Sequence, residues 1–429
     1  MSSSYVTVLR TPGAARLFGA ALIGRLSYGV VPLSLLLAVT ATTGSYARAG
    51  WLTALFATSN VLLSPVRAGL VDRHGPRRAL PPMAAGYALV LLGLAAATWR
   101  PGVPYPALLA LAVAAGVLAP PLGPVTRARW SALLPDPEPR RRAYSLDTVA
   151  EELLYVTGPL LAGLIAAGTG RPALGLVLGA ALVLTGSLAL AAAVRGEPAP
   201  ARPDSAAAQD RSRPWRLLAR TRQPLAAAAG AGAGLGAFGL LAVVFAQRHG
   251  QAAGVAWVEA ALAAGSATGG LVLGALDWRA PARVRLAVLT GALGGALALT
   301  ALAPTLPLLA AAAALAGLTV APTLTTAYLF TDELAGPDRR TWAGAWVNAA
   351  FNGGGSAGTA LAGLLADRLP LSLCLALAAA PALAALAVAR AGSATATGAT
   401  AGAGAVTGAE LVTGAGSAAG AGSTARTEV

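Results

Sequence analysis

One acid sits among three arginines around a Gly-Pro turn in the run Asp72-Arg73-His74-Gly75-Pro76-Arg77-Arg78. Glycine admits a left-handed turn, proline opens a helix, and such charges can pair in one arrangement and part in another. Asp72, Arg73, Gly75, Arg77 and Arg78 are therefore read as a gating loop. A second set lies inside apolar runs: Arg25, Glu151 and Glu152, with Asp147 one turn before Glu151. Ionisable groups are costly in such runs and tend to mark ion or proton paths. Arg25, Glu151 and Glu152 are the expected proton-coupling residues; with Asp147 they set three acids around one arginine in an apolar run. Consecutive helical positions point about 100° apart, so only one glutamate can aim squarely at Arg25. Glu259 is a further acid near the end of an apolar run, and Asn348 and Asn352 are candidate polar residues of a cavity.

Other chemistry is poorly supplied. Cys374 is the only cysteine and His74 and His249 the only histidines, so no intrachain disulfide, metal site or cofactor is expected. Gly354-Gly355-Ser356-Ala357-Gly358 fits a nucleophile elbow, and Gly234-Leu235-Gly236-Ala237-Phe238-Gly239 fits a dinucleotide fingerprint. Both need a strand-turn-helix setting and both lie in apolar helical runs, so they read as packing surfaces. There is no phosphate-cradling Walker loop, which argues against self-powered ATP hydrolysis.

The positioning elements follow from composition. The 429 residues are 56% hydrophobic and 11% charged, with mean hydropathy +0.66. Soluble domains average about 25% charged residues, so a polytopic membrane protein is expected. The charge of +14 is all arginine, since the 31 basic residues include no lysine. Nucleic-acid binding wants a clustered basic face. These arginines are instead dealt out in small groups between apolar runs, so no nucleic-acid partner is expected.

Apolar runs long enough to cross a bilayer fall near 17–40, 48–70, 79–98, 104–125, 146–168 and 173–194. Six more fall near 224–246, 254–276, 284–303, 307–328, 343–366 and 370–390. The fold class is thus all-α membrane protein, twelve transmembrane helices in two six-helix repeats. The expected division is a bundle over 1–194, a cationic linker over 195–223, a bundle over 224–391 and a disordered low-complexity tail over 392–429. Gly158-Pro-Leu-Leu-Ala-Gly-Leu-Ile-Ala166 matches Gly358-Thr-Ala-Leu-Ala-Gly-Leu-Leu-Ala366 at six of nine positions, 200 residues apart. Gly69-Leu-Val-Asp72 likewise echoes Gly274-Ala-Leu-Asp277. Two such repeats imply a cavity between them in which access can alternate. Arginines concentrate in alternate loops: Arg73, Arg77 and Arg78, then Arg127, Arg129 and Arg140 to Arg142, then Arg279, Arg283 and Arg285. By the positive-inside rule both termini are cytoplasmic.

The charged loop resembles the Asp-Arg-x-Gly-x-Arg-Arg signature of the major facilitator superfamily, and with two sets of six spans the likeness covers nearly all but the tail. The family's usual glycine four residues before the acid is Ala68 here, with Gly69 one position late. Gly158-Pro159-Leu160-Leu161-Ala162-Gly163 resembles the fifth-helix motif of exporters in that superfamily. Gly158, Pro159 and Gly163 carry the likeness, while Leu154 and Ala162 stand where the motif has glycine.

The resemblance implies a secondary active transporter, not an enzyme, of the drug-efflux kind and in a bacterial cytoplasmic membrane. The expectation is proton-coupled export of small hydrophobic or amphipathic compounds by a monomer in the lipid bilayer. A metabolite uptake transporter is the alternative, and a multispan scaffold or membrane enzyme a remoter one.

Overall fold

The computed structural model describes residues 5–99, 102–194, 214–251, 254–276 and 278–387. The expected tail over 392–429, most of the linker (195–213) and Asp277 of the second echo lie outside the described residues. A short helix α1 (Tyr5–Arg10) precedes α2 (Ala14–Thr43), α3 (Tyr46–His74) and α4 (Pro76–Trp99). The fourth crossing is split into α5 (Tyr105–Leu118) and α6 (Leu122–Leu133). The first set ends with α7 (Pro137–Thr169) and α8 (Ala173–Ala193). After α9 (Pro214–Arg220) come α10 (Arg222–Arg248), α11 (Val255–Ala275) and α12 (Ala282–Leu299). The last crossings are α13 (Leu306–Ala335), α14 (Arg340–Ala366) and α15 (Leu371–Leu377), which opens an apolar segment reaching Ala387.

Ten of these crossings are long and apolar enough to span a bilayer by length and composition. α14 is long but more polar, and the final segment is short. Together they make an all-α membrane protein of twelve transmembrane helices in two six-helix repeats. Aromatic side chains exposed at Tyr46, Trp51, Trp99 and Trp257 all sit at helix ends on one side, as an interfacial belt does. The opposite side carries Arg73, Arg77 and Arg78 and is called the basic end below.

The internal repeat is visible in the packing. A Cβ on Gly158 would overlap the backbone of Gly29, where α7 meets α2; one on Gly358 would overlap Ala233, where α14 meets α10. The same crossing is therefore built twice. The two enzyme-like glycine runs face each other in this second crossing, since Gly236 abuts Gly355. They are packing surfaces, as small residues in lipid usually are.

The break in the fourth crossing follows from Pro120 and Pro121. Neither has an amide hydrogen, so the carbonyls of Gly116 and Val117, four residues earlier, lose their helical donors. Arg67 of α3 replaces them: its Nη1 donates to Gly116 O at 2.5 Å and to Val117 O at 2.9 Å. Its Nη2 donates to Asn60 O at 2.8 Å and Asn60 Oδ1 at 2.6 Å. Tyr28 of α2 closes the other side, its hydroxyl donating to Pro120 O at 2.5 Å and accepting from Leu122 N at 3.1 Å. Arg67 is thus a structural member of the bundle, 5% exposed, rather than a loop charge. Arg67→Met should destabilise the detergent-solubilised protein by about 1–3 kcal/mol, the cost of stranded buried acceptors. Arg67→Lys should recover part of that. Thermal unfolding of both variants checks it, and an unchanged midpoint in Arg67→Met would show that the break stands without the staple.

Candidate functional site

Gly75 alone joins α3 to α4, with φ +76° and its amide bonded to Val71 O at 2.8 Å. That turn leaves Asp72 in the last turn of α3, aimed at the other repeat. Its Oδ2 accepts from the backbone amide of Trp342 at 2.8 Å, and the Thr341 amide and hydroxyl also reach it. Both residues lie in the first turn of α14. Four amides at a helix start lack intrahelical partners and carry the positive end of the dipole, so Asp72 caps α14 from across the interface. The expected pairing within the loop is replaced. Arg73, Arg77 and Arg78 are exposed, and the partner of Asp72 is a helix terminus.

The inter-repeat contacts gather at this basic end. Ser131 of α6 donates to Asp332 Oδ2 of α13 at 2.7 Å, and within the second repeat Arg340 Nε lies 3.0 Å from Asp332 Oδ1. Ser145 of α7 donates to Gly270 O, and Tyr5 donates to Leu271 O at 2.5 Å. Ser145 also fills the space a Cβ on Gly274 would need.

Deeper in the bundle two of the expected coupling residues, Arg25 and Glu151, meet, and Asp147 and Arg127 join them. Arg25 of α2 places Nη1 at 2.6 Å from Asp147 Oδ1 and Nη2 at 2.9 Å from Glu151 Oε2. Arg127 of α6 holds the same two acids, Nε at 3.0 Å from Asp147 Oδ2 and Nη2 against Glu151 Oε2. Asp147 and Glu151 are one turn apart on α7, so both face the same way. The face of Arg127 also lies on the Tyr328 ring, 3.7 Å from its centroid. Two cations thus meet two anions, all buried or nearly so.

The expectation of three acids around one in-membrane arginine is corrected here. The arginine pattern counts Arg127 among the loop charges, since the fourth apolar run ends near residue 125. The chain instead restarts as α6 after Pro121, carrying Arg127 into the bundle. The Pro-Pro pair and the later Trp130, fully buried, are the sequence signals that point that way.

Glu152 does not join this cluster. One position further along α7, it turns toward the second repeat, where its Oε1 accepts from Ser266 Oγ at 2.6 Å. Ser266 in turn accepts from Ala321 N at 3.1 Å. Glu152 Oε2 is buried without a hydrogen-bond partner. Glu152 lies on a cavity of about 930 Å³ between the repeats, lined also by Tyr155, Leu160, Leu164, Glu259, Leu324 and Phe351. The cavity runs up to Ala167 of α7 and Ala256 of α11, beside the helix ends remote from the basic end. It is therefore closed at the basic end and opens at the other. Glu259, Leu262 and Phe351 also border a second lobe of about 830 Å³ reaching Gly236, Asn352 and Ser356.

The remaining expected residues divide. Asn348 lines the first lobe and Asn352 the second, and Asn352 Nδ2 donates to Asn348 O at 2.8 Å. In the exporter-like motif the close helix approach is made by Gly158 alone. α7 runs unbroken through Pro159, and Pro159 and Gly163 line the cavity. A Cβ on Gly163 would meet nothing within 4 Å, so its place in the motif carries no packing demand.

Asp72→Asn keeps the shape and removes the charge at α14. It should release about 1–2 kcal/mol of closure, shifting the closed-to-open balance at the basic end roughly 5- to 30-fold. The check is thiol labelling, from the basic side, of a Thr325→Cys reporter, which should speed up while expression stays near normal. Unchanged labelling would reduce the loop to a topology signal.

The Major Facilitator Superfamily family model matches residues 17–296 of this chain. No curated protein sequence matches it. A bacterial homologue of the iron transporter ferroportin, in an outward-facing state, superposes with a TM-score of 0.70 at 14% identity, covering 87% of this chain and 96% of that one. The Escherichia coli fucose:proton symporter gives 0.66 at 16% identity, over 90% and 99% of the two chains. The human organic anion transporter gives 0.64 at 17%, over 87% and 98%. At such identities these likenesses speak for the fold. With the family model covering well over half of the sequence, the chain belongs to the Major Facilitator Superfamily.

Proposed function

We propose that this membrane transporter is a proton-coupled antiporter that exports small hydrophobic or amphipathic organic compounds across a bacterial cytoplasmic membrane. Glu152 carries the reading. It is the carboxyl at the floor of the cavity, bridging the repeats through Ser266, with one oxygen left without a partner. Asp147 and Glu151 are each held by both Arg25 and Arg127, so their charge is spoken for. Glu152 is free to take a proton from the open side and release it on the other. Its bond to Ser266 of α11 makes its state bear on how the two repeats fit together.

The arginine distribution supports a cytoplasmic basic end, in which case the cavity faces outward. The walls favour apolar cargo: alanine, leucine, valine and glycine dominate, with few groups to hold a sugar's hydroxyls. The exporter-like Gly158-Pro159 element supports outward transport. Residues 1–194 and 224–391 would then act as the two moving halves of a monomer, the linker of 195–223 joining them and the tail of 392–429 taking no part. Uptake of a metabolite is the rival reading, and the direction of flux in sided vesicles separates the two.

The test begins with a pump-deficient bacterial host, expressing the protein and selecting compounds to which it confers resistance. In proteoliposomes containing a pH-sensitive dye, those compounds should drive proton flux, and Glu152→Gln should abolish that flux while protein insertion is retained. Transport of the same compounds with no accompanying proton movement would overturn the coupling.

A further inference from the structure

The two lobes carry three carboxyl side chains, Glu151, Glu152 and Glu259, and neither lobe has an arginine or histidine in its lining. Glu151 is matched by Arg25 and Arg127 behind the cavity wall. That leaves two acids with no basic partner among the described residues. Glu152 is on the floor with its free Oε2, and Glu259 is exposed where the lobes join. Field lines from like charges concentrate in a cleft with low-dielectric walls, and they select the sign of what enters. Around these acids the surface is apolar and aromatic. The aromatic side chains Tyr155 and Phe351 line the first lobe, and Tyr328 is already covered on one side by Arg127. A delocalised cation can use both features, an aromatic face and a carboxylate at close range.

We propose that the transported compounds are hydrophobic organic cations, whose positive charge is received by Glu152 and first attracted by Glu259. This rests on the antiport reading and extends it: one carboxyl serves the proton and the cargo in turn, so occupancy by one excludes the other. The chemistry of the lining separates this class from three others. An organic anion would meet uncompensated acids and no base. A sugar would find Thr148, Ser266 and Asn348 as the neutral aliphatic polar groups of a mostly apolar lobe. A metal ion would find no group of three or more His, Cys, Asp and Glu able to hold it among the described residues.

The experiment is equilibrium binding to the full chain in nanodiscs of zwitterionic lipid, with empty discs as background. The probes are tetraphenylphosphonium and tetraphenylborate, which share shape and apolar surface and differ in sign. Tetraphenylphosphonium should bind at least about tenfold more tightly than tetraphenylborate. Glu152→Gln should weaken cation binding by about tenfold or more and Glu259→Gln by a few-fold. Asp136→Asn, exposed at the basic end, should leave it unchanged. Equal affinity for the two ions, no measurable cation binding, or full cation affinity in Glu152→Gln would each overturn the proposal. The wild-type comparison of the two probes needs no variant to fold. Binding needs no gradient either, so charge-indifferent binding alongside intact proton flux would sink this proposal alone. Charge-selective binding without proton flux would instead sink the antiport reading.

Discussion

Charge neutrality among buried side chains is the constraint from which the rest of this structure follows. Arg25, Arg127, Asp147 and Glu151 form a closed set in which each arginine touches both acids. Taking any one of them out of water alone would cost several kcal/mol, and the mutual attraction offsets that only when geometry and count both match. Three helices are tied together by that need. α2 brings Arg25, α7 brings both acids, and α6 must be long enough to bring Arg127. The Pro120–Pro121 break, stapled by Arg67 and Tyr28, is what lets α6 take its own path from the end of α5. Because these four residues neutralise one another, Glu152 and Glu259 are left as the cavity acids whose charge no cation among the described residues answers.

The basic end is held by interactions of a different kind. Asp72 on the start of α14, Ser131 on Asp332 and Ser145 on Gly270 are single contacts between the repeats, each worth about 1–3 kcal/mol. None is part of a large interlocked core. A set of that size can hold one end shut and still be exchanged for a similar set at the other. The Glu152–Ser266 bond lies between these two regimes, where the neutral cluster borders the contacts between the repeats. Under the proposed antiport, protonation or a bound cation at that position would change a contact the two repeats share, and so turn a local event into a change of access.

Much of this was readable in the chain. Apolar runs of bilayer length, an internal match at an offset of 200, and the Asp72 turn together specify the fold. Arg25, Asp147 and Glu151 stand out because ionisable residues are rare in such runs. Two things were hidden. Arg127 sits in a stretch whose polarity imitates a loop, and only the burial of α6 against α13 and α14 turns it into a membrane residue. The partner of Asp72 is the start of α14, mostly its backbone amides, and a helix terminus 270 positions away leaves no mark in local sequence. The separation of Glu151 from Glu152 was half legible. Their angular difference follows from helix geometry, but which one faces the second repeat depends on where Ser266 lies.

The neutral cluster is tested most directly by a double-mutant cycle on thermal unfolding with Arg127→Gln and Asp147→Asn. Each single change strands one buried charge and should cost about 3–5 kcal/mol. The double variant leaves Arg25 with Glu151 as a balanced pair. It should therefore recover most of that loss, giving a coupling energy of about 2 kcal/mol or more. Additive losses, with the double variant as unstable as the sum of the singles, would contradict charge balance as the organising constraint.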